Sequence, residues 1–341
     1  MAARRWTTGR LLELGRSYRA ACVLTAAAEL DLFAALADGP MSAEQVAARR
    51  ELDLRGTTIL LDALATLGLL RKRNQRYALT AGVRECLTFG SEASGLAMLQ
   101  HQANCLRRWS HLATVVKTGR PAPRQAGIRG EAADLAAFIG AMHDLARPIA
   151  RELVGSLQPL KFNRLLDLGG ASGTWTIAFL LANPDATAVL FDRPEVLPAA
   201  RERLAEAGLA DRVELVGGDF LADPLPPGAD LAWVSAIVHQ NSRAQNRRLF
   251  AALHAALNPG GLILIRDVVM QEDRLSPAEG ALFAVHMLVA TEGGGTFTFA
   301  ELSEDLQSAG FAEIVLRRHD EGMNAIVQAV RPQAPPELRQ T

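Results

Sequence analysis

The sequence has few cysteines, no long apolar run and no excess of either charge. Its three cysteines, Cys22, Cys86 and Cys105, match no zinc-site spacing and cannot close a set of disulfides, so we expect a reducing, cytoplasmic location and no metal. No run approaches the roughly 18 apolar residues of a membrane helix, so we expect no membrane partner. The 36 basic and 37 acidic residues nearly balance, which excludes a strongly basic nucleic-acid binder and an acidic disordered tail.

The N-terminal part carries a series of helix signals. Apolar residues recur at helical spacing over residues 11–37, which predicts one long helix. Ser42 and Gln45 have the spacing of a capping box at the start of a second helix. Asp53 begins a third, which ends near Gly68.

A predicted hairpin completes this region and raises a DNA-binding hypothesis. Strand-like runs at 69–73 and 76–79 flank a two-residue turn, and three helices with a hairpin predict a winged-helix domain within residues 1–95. The hairpin is basic, but the helix that would enter the major groove carries Asp53 and Asp62 against Arg55. Two acidic residues against one basic residue make this helix poorly suited to contact the phosphates of DNA. A ligand-responsive DNA-binding regulator is therefore the alternative from another class, and we expect no nucleic-acid partner.

From residue 164 onward, apolar β-branched runs alternate with amphipathic helices. This alternation predicts a doubly wound, mostly parallel sheet in an α/β domain over residues 96–332, which includes linking helices and is followed by a tail at 333–341. The predicted strands are 164–168, 187–191, 212–216, 230–235 and 261–267, closed by an antiparallel pair at 311–317 and 324–330. The predicted helices are 131–157, 173–183, 194–207, 243–257, 278–291 and 299–309.

Three motifs at predicted strand ends indicate a nucleotide-like cofactor. The first is a glycine turn after the 164–168 strand, with Asp167 followed by Gly169, Gly170 and Gly173. Glycines let a ligand approach the backbone, and the following helix N-terminus offers free N–H groups. Asp192, at the next strand end, is placed to bind ribose hydroxyls. Asp219 and Phe220 are suited to the amino group and face of an adenine ring. The turn lacks the dinucleotide glycine spacing, which argues against a nicotinamide enzyme.

In their order and spacing these motifs resemble the S-adenosylmethionine-dependent O-methyltransferases of small molecules, of the caffeate and acetylserotonin O-methyltransferase type. The resemblance spans roughly residues 10–330. It implies a Rossmann-like class I methyltransferase domain and S-adenosyl-L-methionine as the cofactor. It also implies that the winged-helix domain forms a homodimer instead of binding DNA. The expected acceptor is a small aromatic or polyketide-like molecule with a hydroxyl group.

The resemblance also assigns roles to individual residues. It implies His239 as general base, since a phenol of pKa near 10 needs its proton removed. Asp267 would orient His239, and Glu292 would replace a second orienting acid. The implied cofactor-binding residues are Asp167, Gly169, Gly170, Gly173, Asp192, Asp219, Phe220 and Ser235. Met142, His143, Phe283 and Met287 lie on predicted helices that should wall the acceptor pocket. The resemblance supports Met287 in particular, because the family carries a pocket methionine in the matching helix.

The match is imperfect around the expected base. The family usually follows its histidine with an acid and a tryptophan, where this sequence has Gln240 and Asn241. Ser235 stands where a lysine is common, and Thr296 stands where the second orienting acid is expected. N- or C-methylation, or a reaction without methyl transfer on the same fold and cofactor, therefore stays open.

Overall fold

A computed structural model describes residues 5–88 and 93–333. It divides into two compact units, the first made of residues 1–107 and 124–144 and the second of residues 108–123 and 145–341. The predicted tail lies almost wholly outside the described residues. No described helix is long and apolar enough to cross a membrane.

The first unit contains the predicted winged-helix elements. Its helices are α1 (Thr8–Arg16), α2 (Tyr18–Glu29), α3 (Leu32–Ala35), α4 (Ala43–Arg50), α5 (Leu54–Thr66) and α6 (Ala81–Leu87). Its strands are β1 (Met41–Ser42), β2 (Leu70–Arg73) and β3 (Arg76–Leu79), in the order β1-β3-β2. Next in the chain come the helices α7 (Leu96–Trp109), α8 (Leu112–Thr118) and α9 (Glu131–Ser156), whose residues are divided between the two units.

The prediction of one helix over residues 11–37 is wrong, because this stretch forms three helices. The backbone of Asp31 is left-handed, at φ 53°. Its carboxylate receives hydrogen bonds from Arg50 at 2.6 Å and from Gln100 at 3.0 Å. Those partners are distant in sequence, so the apolar periodicity could not reveal the break.

The other local predictions in this unit are confirmed. Ser42 and Gln45 form the capping box, and Asp53 accepts the first-turn N–H of α5. Gly68 has φ 76° just after α5, as a helix-ending glycine does. Asn74 and Gln75 both have positive φ, which is the type I′ turn that a two-residue hairpin requires.

The second unit is an α/β domain around a seven-stranded sheet of the described residues, as predicted. The order is β11-β12-β8-β7-β4-β5-β6, in which β6, β5, β4, β7 and β8 run parallel and β12 is antiparallel to β8. The strands are β4 (Arg164–Leu168), β5 (Thr187–Asp192), β6 (Val213–Gly217), β7 (Ala229–Ser235), β8 (Leu257–Asp267), β11 (Ala312–Arg318) and β12 (Ala325–Val330). The short strands β9 (Val269–Met270) and β10 (Phe297–Thr298) form a separate parallel pair.

Helices cover the sheet of the second unit. They are α10 (Thr174–Ala182), α11 (Leu197–Glu206), α12 (Arg243–Ala256), α13 (Ala278–Ala290) and α14 (Phe299–Ser308), with single 3-10 turns at Ala210–Arg212 and Val238–Gln240. Alternate strand residues enter two different apolar clusters, Leu166 and Leu168 in one and Leu165 in the other. Burial on both faces explains why these strands are continuous apolar runs.

The topology gathers the predicted motifs at one edge of the sheet. The strand β4 lies between β5 and β7, and the chain reverses its winding direction there. Parallel pairing aligns Asp192 with Gly217 and Ser235 with Arg266. Crevices at such reversals are where open α/β sheets bind ligands.

Candidate active site

The glycine turn between β4 and α10 has a backbone that only small residues tolerate. Gly169 and Gly173 have φ of 67° and 75°. A Cβ on Gly170 would lie 2.5 Å from Cγ of Leu190, and one on Gly169 would overlap Ile237. Gly173 precedes α10 without a side-chain cap. The N–H groups at this helix start are therefore available to a ligand.

Asp192 ties the end of β5 to this turn. Its Oδ2 accepts a hydrogen bond from the backbone N–H of Ala171 at 2.8 Å, and its Oδ1 accepts one from Arg193 at 2.7 Å. Burial raises the pKa of this carboxyl, while the two backbone donors oppose the rise. The predicted ribose acceptor therefore sits directly beside the glycine backbone.

Asp167 lies beneath the turn. Its side chain is 1% exposed, and its Oδ2 accepts a hydrogen bond from the Thr176 hydroxyl at 2.5 Å. Burial raises its pKa to about 7. The structure thus shows a direct contact of Asp167 with α10, and its cofactor contact stays a prediction.

Asp219 and Phe220 follow the end of β6. Asp219 is exposed and Phe220 is half-buried. The carboxylate of Asp219 accepts the N–H of Leu221 at 2.8 Å, and its own N–H donates to Asp223 at 2.8 Å. This turn holds the acid and the ring beside the end of the strand that neighbours β5.

Ser235 has a partner that the sequence analysis missed. Its Oγ accepts a hydrogen bond from Nη1 of Arg266 at 3.1 Å. Arg266 is 7% exposed, and its guanidinium lies 4.8 Å from the ring of Trp175. It also donates to Asn324, and burial lowers its pKa to about 10. The sequence signal that could have revealed this contact is a cationic residue, Arg266, in the apolar run of β8.

His239 and Asp267 form a buried pair at the other end of this edge. Nδ1 of His239 lies 2.8 Å and 2.9 Å from the two carboxylate oxygens of Asp267. The residues are 6% and 1% exposed. A carboxylate only accepts, so in the neutral imidazole Nδ1 carries the hydrogen and Nε2 keeps its lone pair. Within residues 5–88 and 93–333, Nε2 has no hydrogen-bond partner.

Gln240 and Asn241, the two residues after His239 that depart from the family pattern, form local hydrogen bonds. Gln240 donates to the Ala236 carbonyl at 2.9 Å. Asn241 donates to Asn246, which in turn donates to the Val238 carbonyl. Both positions therefore hold the turn that carries the imidazole.

The loop after α13 supports the same turn from behind. The N–H of Gly295 donates to the His239 carbonyl at 2.9 Å, and a Cβ on Gly294 would lie 2.5 Å from that carbonyl. Glu292 is exposed, whereas Thr296 is buried. The described ion pair of His239 is with Asp267, so Glu292 has no support as an orienting acid.

The predicted pocket residues fall in different places. The ring of Phe283 contacts His239 edge-on at 4.8 Å between centroids, and Met287 is buried on the same helix. Met142 and His143 are half-buried on the part of α9 that belongs to the first unit. Among the described residues, no group of three His, Cys, Asp or Glu side chains could hold a metal ion.

Comparisons with known proteins agree with this geometry. The family profile of the O-methyltransferase domain matches residues 109–312, and that of the O-methyltransferase dimerisation domain matches residues 12–88. The chain is 33% identical over 313 residues to the tetracenomycin polyketide synthesis 8-O-methyl transferase TcmO of Streptomyces glaucescens, covering 90% of this chain and 92% of that protein.

Two further relatives differ in what their names say. The chain is 30% identical over 337 residues to the N,N-dimethyltransferase OxyT of Streptomyces rimosus, covering 94% and 96% of the two chains. Human N-acetylserotonin methyltransferase, solved in complex with SAM, superposes with a TM-score of 0.80 at 27% identity. That superposition covers 98% of this chain and 100% of the human one.

Proposed function

Because this chain belongs to the O-methyltransferase family, we propose that it moves a methyl group from S-adenosylmethionine to a hydroxyl of a small aromatic or polyketide-like acceptor, with His239 as general base. The observation that carries this proposal is the buried pair of His239 and Asp267, which leaves Nε2 as a proton acceptor at the edge where the cofactor motifs meet. TcmO, whose name places it in polyketide O-methylation, supports the acceptor class.

The residues at the glycine turn fit the cofactor. A Cβ at Gly170 would overlap Leu190, so the backbone there is bare, and Asp192 presents a carboxylate beside it. When bound, S-adenosylmethionine supplies an electrophilic methyl group. Gly169, Gly170 and Gly173 would hold its amino-acid portion, Asp192 its ribose, and Asp219 with Phe220 its adenine.

The chain's own contribution to the chemistry is proton removal and placement. A phenol is mostly protonated at neutral pH and is then a poor nucleophile. Nε2 of His239 takes that proton as the oxygen attacks, and the carboxylate of Asp267 stabilises the resulting imidazolium. Holding the acceptor in line lowers the barrier further by several kcal/mol.

N-methylation is the second candidate, and one observation favours it. OxyT is similar over nearly the whole chain and is named as an N,N-dimethyltransferase. An amine nucleophile also has to lose a proton, so the same imidazole could serve. Gln240 and Asn241 hold the turn by side-chain amides and do not discriminate between the two nucleophiles.

We also propose a homodimer formed through the N-terminal unit. None of the residues of α1 is buried, and its Leu11, Leu12 and Leu14 are each more than half exposed. An exposed apolar surface of this kind is suited to contact with a second copy of the chain. The dimerisation profile over residues 12–88 supports this assignment.

Charge pairing in the hairpin supports the proposal that nucleic acid is not a partner. Lys72, the central cation of the hairpin, forms an ion pair with Asp62 at 2.6 Å, so it is not free to meet phosphates. A cytoplasmic location stays a prediction, supported by three cysteines that form no disulfide within the described residues.

Methyl transfer from labelled cofactor to paired acceptors tests the proposal. The protein is incubated with S-adenosylmethionine labelled at the methyl group and with 2-naphthol or 2-naphthylamine, and products are read by mass spectrometry. We expect label on the naphthol oxygen. Label on the amine alone would establish the second candidate, and label on neither compound, despite cofactor binding by calorimetry, would overturn both.

A further inference from the structure

The wall next to the proposed base contains a second imidazole that proton removal does not use. His286 lies three residues after Phe283 on α13, so the two side chains share one face of the helix. The ring of Phe283 contacts both imidazoles, with centroids 4.8 Å from His239 and 5.8 Å from His286. His286 is half-buried. An aromatic acceptor that reaches His239 therefore meets this wall.

Trp109 determines which nitrogen of His286 carries the proton. The indole Nε1 of Trp109 lies 3.0 Å from Nδ1 of His286, and the two rings stack with 19° between their planes. An indole N–H can only donate, so Nδ1 accepts and the neutral imidazole has its hydrogen on Nε2. In the part of the chain that the structure describes, this Nε2–H has no partner. It is a donor in a half-buried position.

Arg108 directly precedes Trp109 in the chain and contributes positive charge at His286. Burial and then Arg108 lower the pKa of His286, with a smaller contribution from His239. The ring is therefore neutral at neutral pH and keeps the bond from Trp109. Arg108 is half-buried, and no described carboxylate forms an ion pair with it. A neutral donor and an unpaired guanidinium together favour an anionic oxygen.

We infer that His286 and Arg108 bind a carboxylate of the acceptor, so that the acceptor is an aromatic hydroxy acid. The inference rests on the proposed function and deepens it. Carboxylates are ionised at neutral pH, whereas a second phenolic hydroxyl of pKa near 10 is not. His286 is thus a specificity-determining residue, since it binds a group distant from the reacting oxygen.

Steady-state kinetics on a matched acceptor pair test this assignment. The pair is 6-hydroxy-2-naphthoate and 2-naphthol, which share the ring and the hydroxyl but differ in the carboxylate. We expect wild-type kcat/KM to favour the naphthoate by about tenfold or more, the size of one hydrogen bond to a charged group. His286→Phe keeps a ring against Phe283 but removes the donor, and it should bring the ratio towards one by raising KM for the naphthoate.

Further variants separate recognition from a structural role. His286→Gln retains an N–H donor and should restore part of the preference, whereas Arg108→Gln should lower it without removing the donor. His319→Phe is the matched control, because His319 is exposed, and it should keep the wild-type ratio. An unchanged ratio in both His286 variants, or equal wild-type use of the two compounds, would overturn the inference and leave the proposed function intact. If wild type methylates neither compound, the proposed function fails and the inference with it.

Discussion

The edge of the sheet where the proposed site lies has a cofactor end, at the glycine turn, and an acceptor end, at His239. The two ends use different chemical groups. At the cofactor end, a glycine turn offers bare backbone, and one acid, Asp192, is held by backbone N–H groups. At the acceptor end, the chemistry depends on side chains from separate segments, His239 and Asp267, packed against Phe283. A backbone site tolerates changes in most side chains, whereas a side-chain site does not. We therefore expect the first end to govern cofactor binding and the second to govern turnover.

Two buried carboxylates, Asp167 and Asp267, also differ in the kind of side chain that they contact. Asp167 lies one residue before the end of β4, Asp267 ends β8, and each is 1% exposed. Asp267 faces the imidazole of His239, whose N–H donor stabilises the negative charge of the carboxylate. The described side-chain partner of Asp167 is the neutral hydroxyl of Thr176. Burial therefore disfavours the ionised form of Asp167 far more than a paired site would.

Removing the proposed base should give the largest effect. His239→Ala should lower kcat on a phenol by about 10²–10⁴-fold, roughly 3–5 kcal/mol, because general-base help is lost. The cofactor end does not depend on this side chain, so the Kd for S-adenosylmethionine measured by calorimetry should stay near wild type. A variant that keeps its kcat would show that His239 is not the base. A parallel loss of cofactor affinity would erase the distinction between the two ends.

The pH dependence of stability should reveal the unpaired carboxylate. In the unfolded chain Asp167 ionises near its ordinary pKa of 3.8, and in the folded protein its pKa is about 7. Between these values the unfolded state has released a proton that the folded state keeps, so the unfolding free energy falls as pH rises. Over this range the fall attributable to Asp167 should be about 4 kcal/mol.

The matched variant for that measurement is Asp167→Asn, which can still accept the hydrogen bond of Thr176. In urea unfolding of the cofactor-free protein at ~pH 5 and ~pH 8, the variant should lose less stability than wild type as pH rises. Equal pH dependence of the two proteins would contradict a raised pKa at this site.

The orienting acid should matter less than the base it holds. Asp267→Asn replaces the carboxylate that faces Nδ1 of His239 by an amide that cannot stabilise the imidazolium. We expect kcat to fall by about 10²-fold, the low end of the range for general-base catalysis, with cofactor affinity retained. Glu292→Gln is the matched control at an exposed acid of the same region, and it should leave kcat unchanged. Equal losses in the two variants would restore Glu292 as an orienting acid.

A substitution at the cofactor end should change cofactor affinity instead of turnover. Asp192→Asn keeps the shape of the side chain but removes the charge offered to the ribose hydroxyls. A hydrogen bond to a charged group contributes about 1.5–3 kcal/mol, so the Kd for S-adenosylmethionine should rise by about 10- to 150-fold. Turnover at saturating cofactor should change little. A fall in kcat without a change in Kd would place Asp192 at the acceptor end instead.

Local signals predicted the glycine turn between β4 and α10 well, because its conformational requirements are local. Gly169 and Gly173 have positive φ, a need that sequence expresses as glycine at a fixed place between a strand and a helix. The parallel sheet was likewise evident from alternation, since each βα unit is contiguous. The pairing of His239 with Asp267 came only from the resemblance, because 28 residues separate them.

Long-range contacts account for what the sequence did not reveal. The break at Asp31 depends on Arg50 and Gln100, which lie 19 and 69 residues away. The environment of Arg266 is formed by Ser235 and Asn324, 31 and 58 residues distant. No periodicity or local motif records such contacts, so both features required the fold.

The smallest effect should come from the adenine side of the cofactor end. Asp219 is exposed, and water competes for its carboxylate, so Asp219→Asn should weaken S-adenosylmethionine binding only about threefold to fivefold, less than 1 kcal/mol. Asp211→Asn, at another exposed acid of the same unit, should leave Kd unchanged in the same calorimetric titration. An effect at Asp219 as large as that at Asp192 would mean that bound adenine buries the acid. The cofactor end would then rely on side chains as heavily as the acceptor end does.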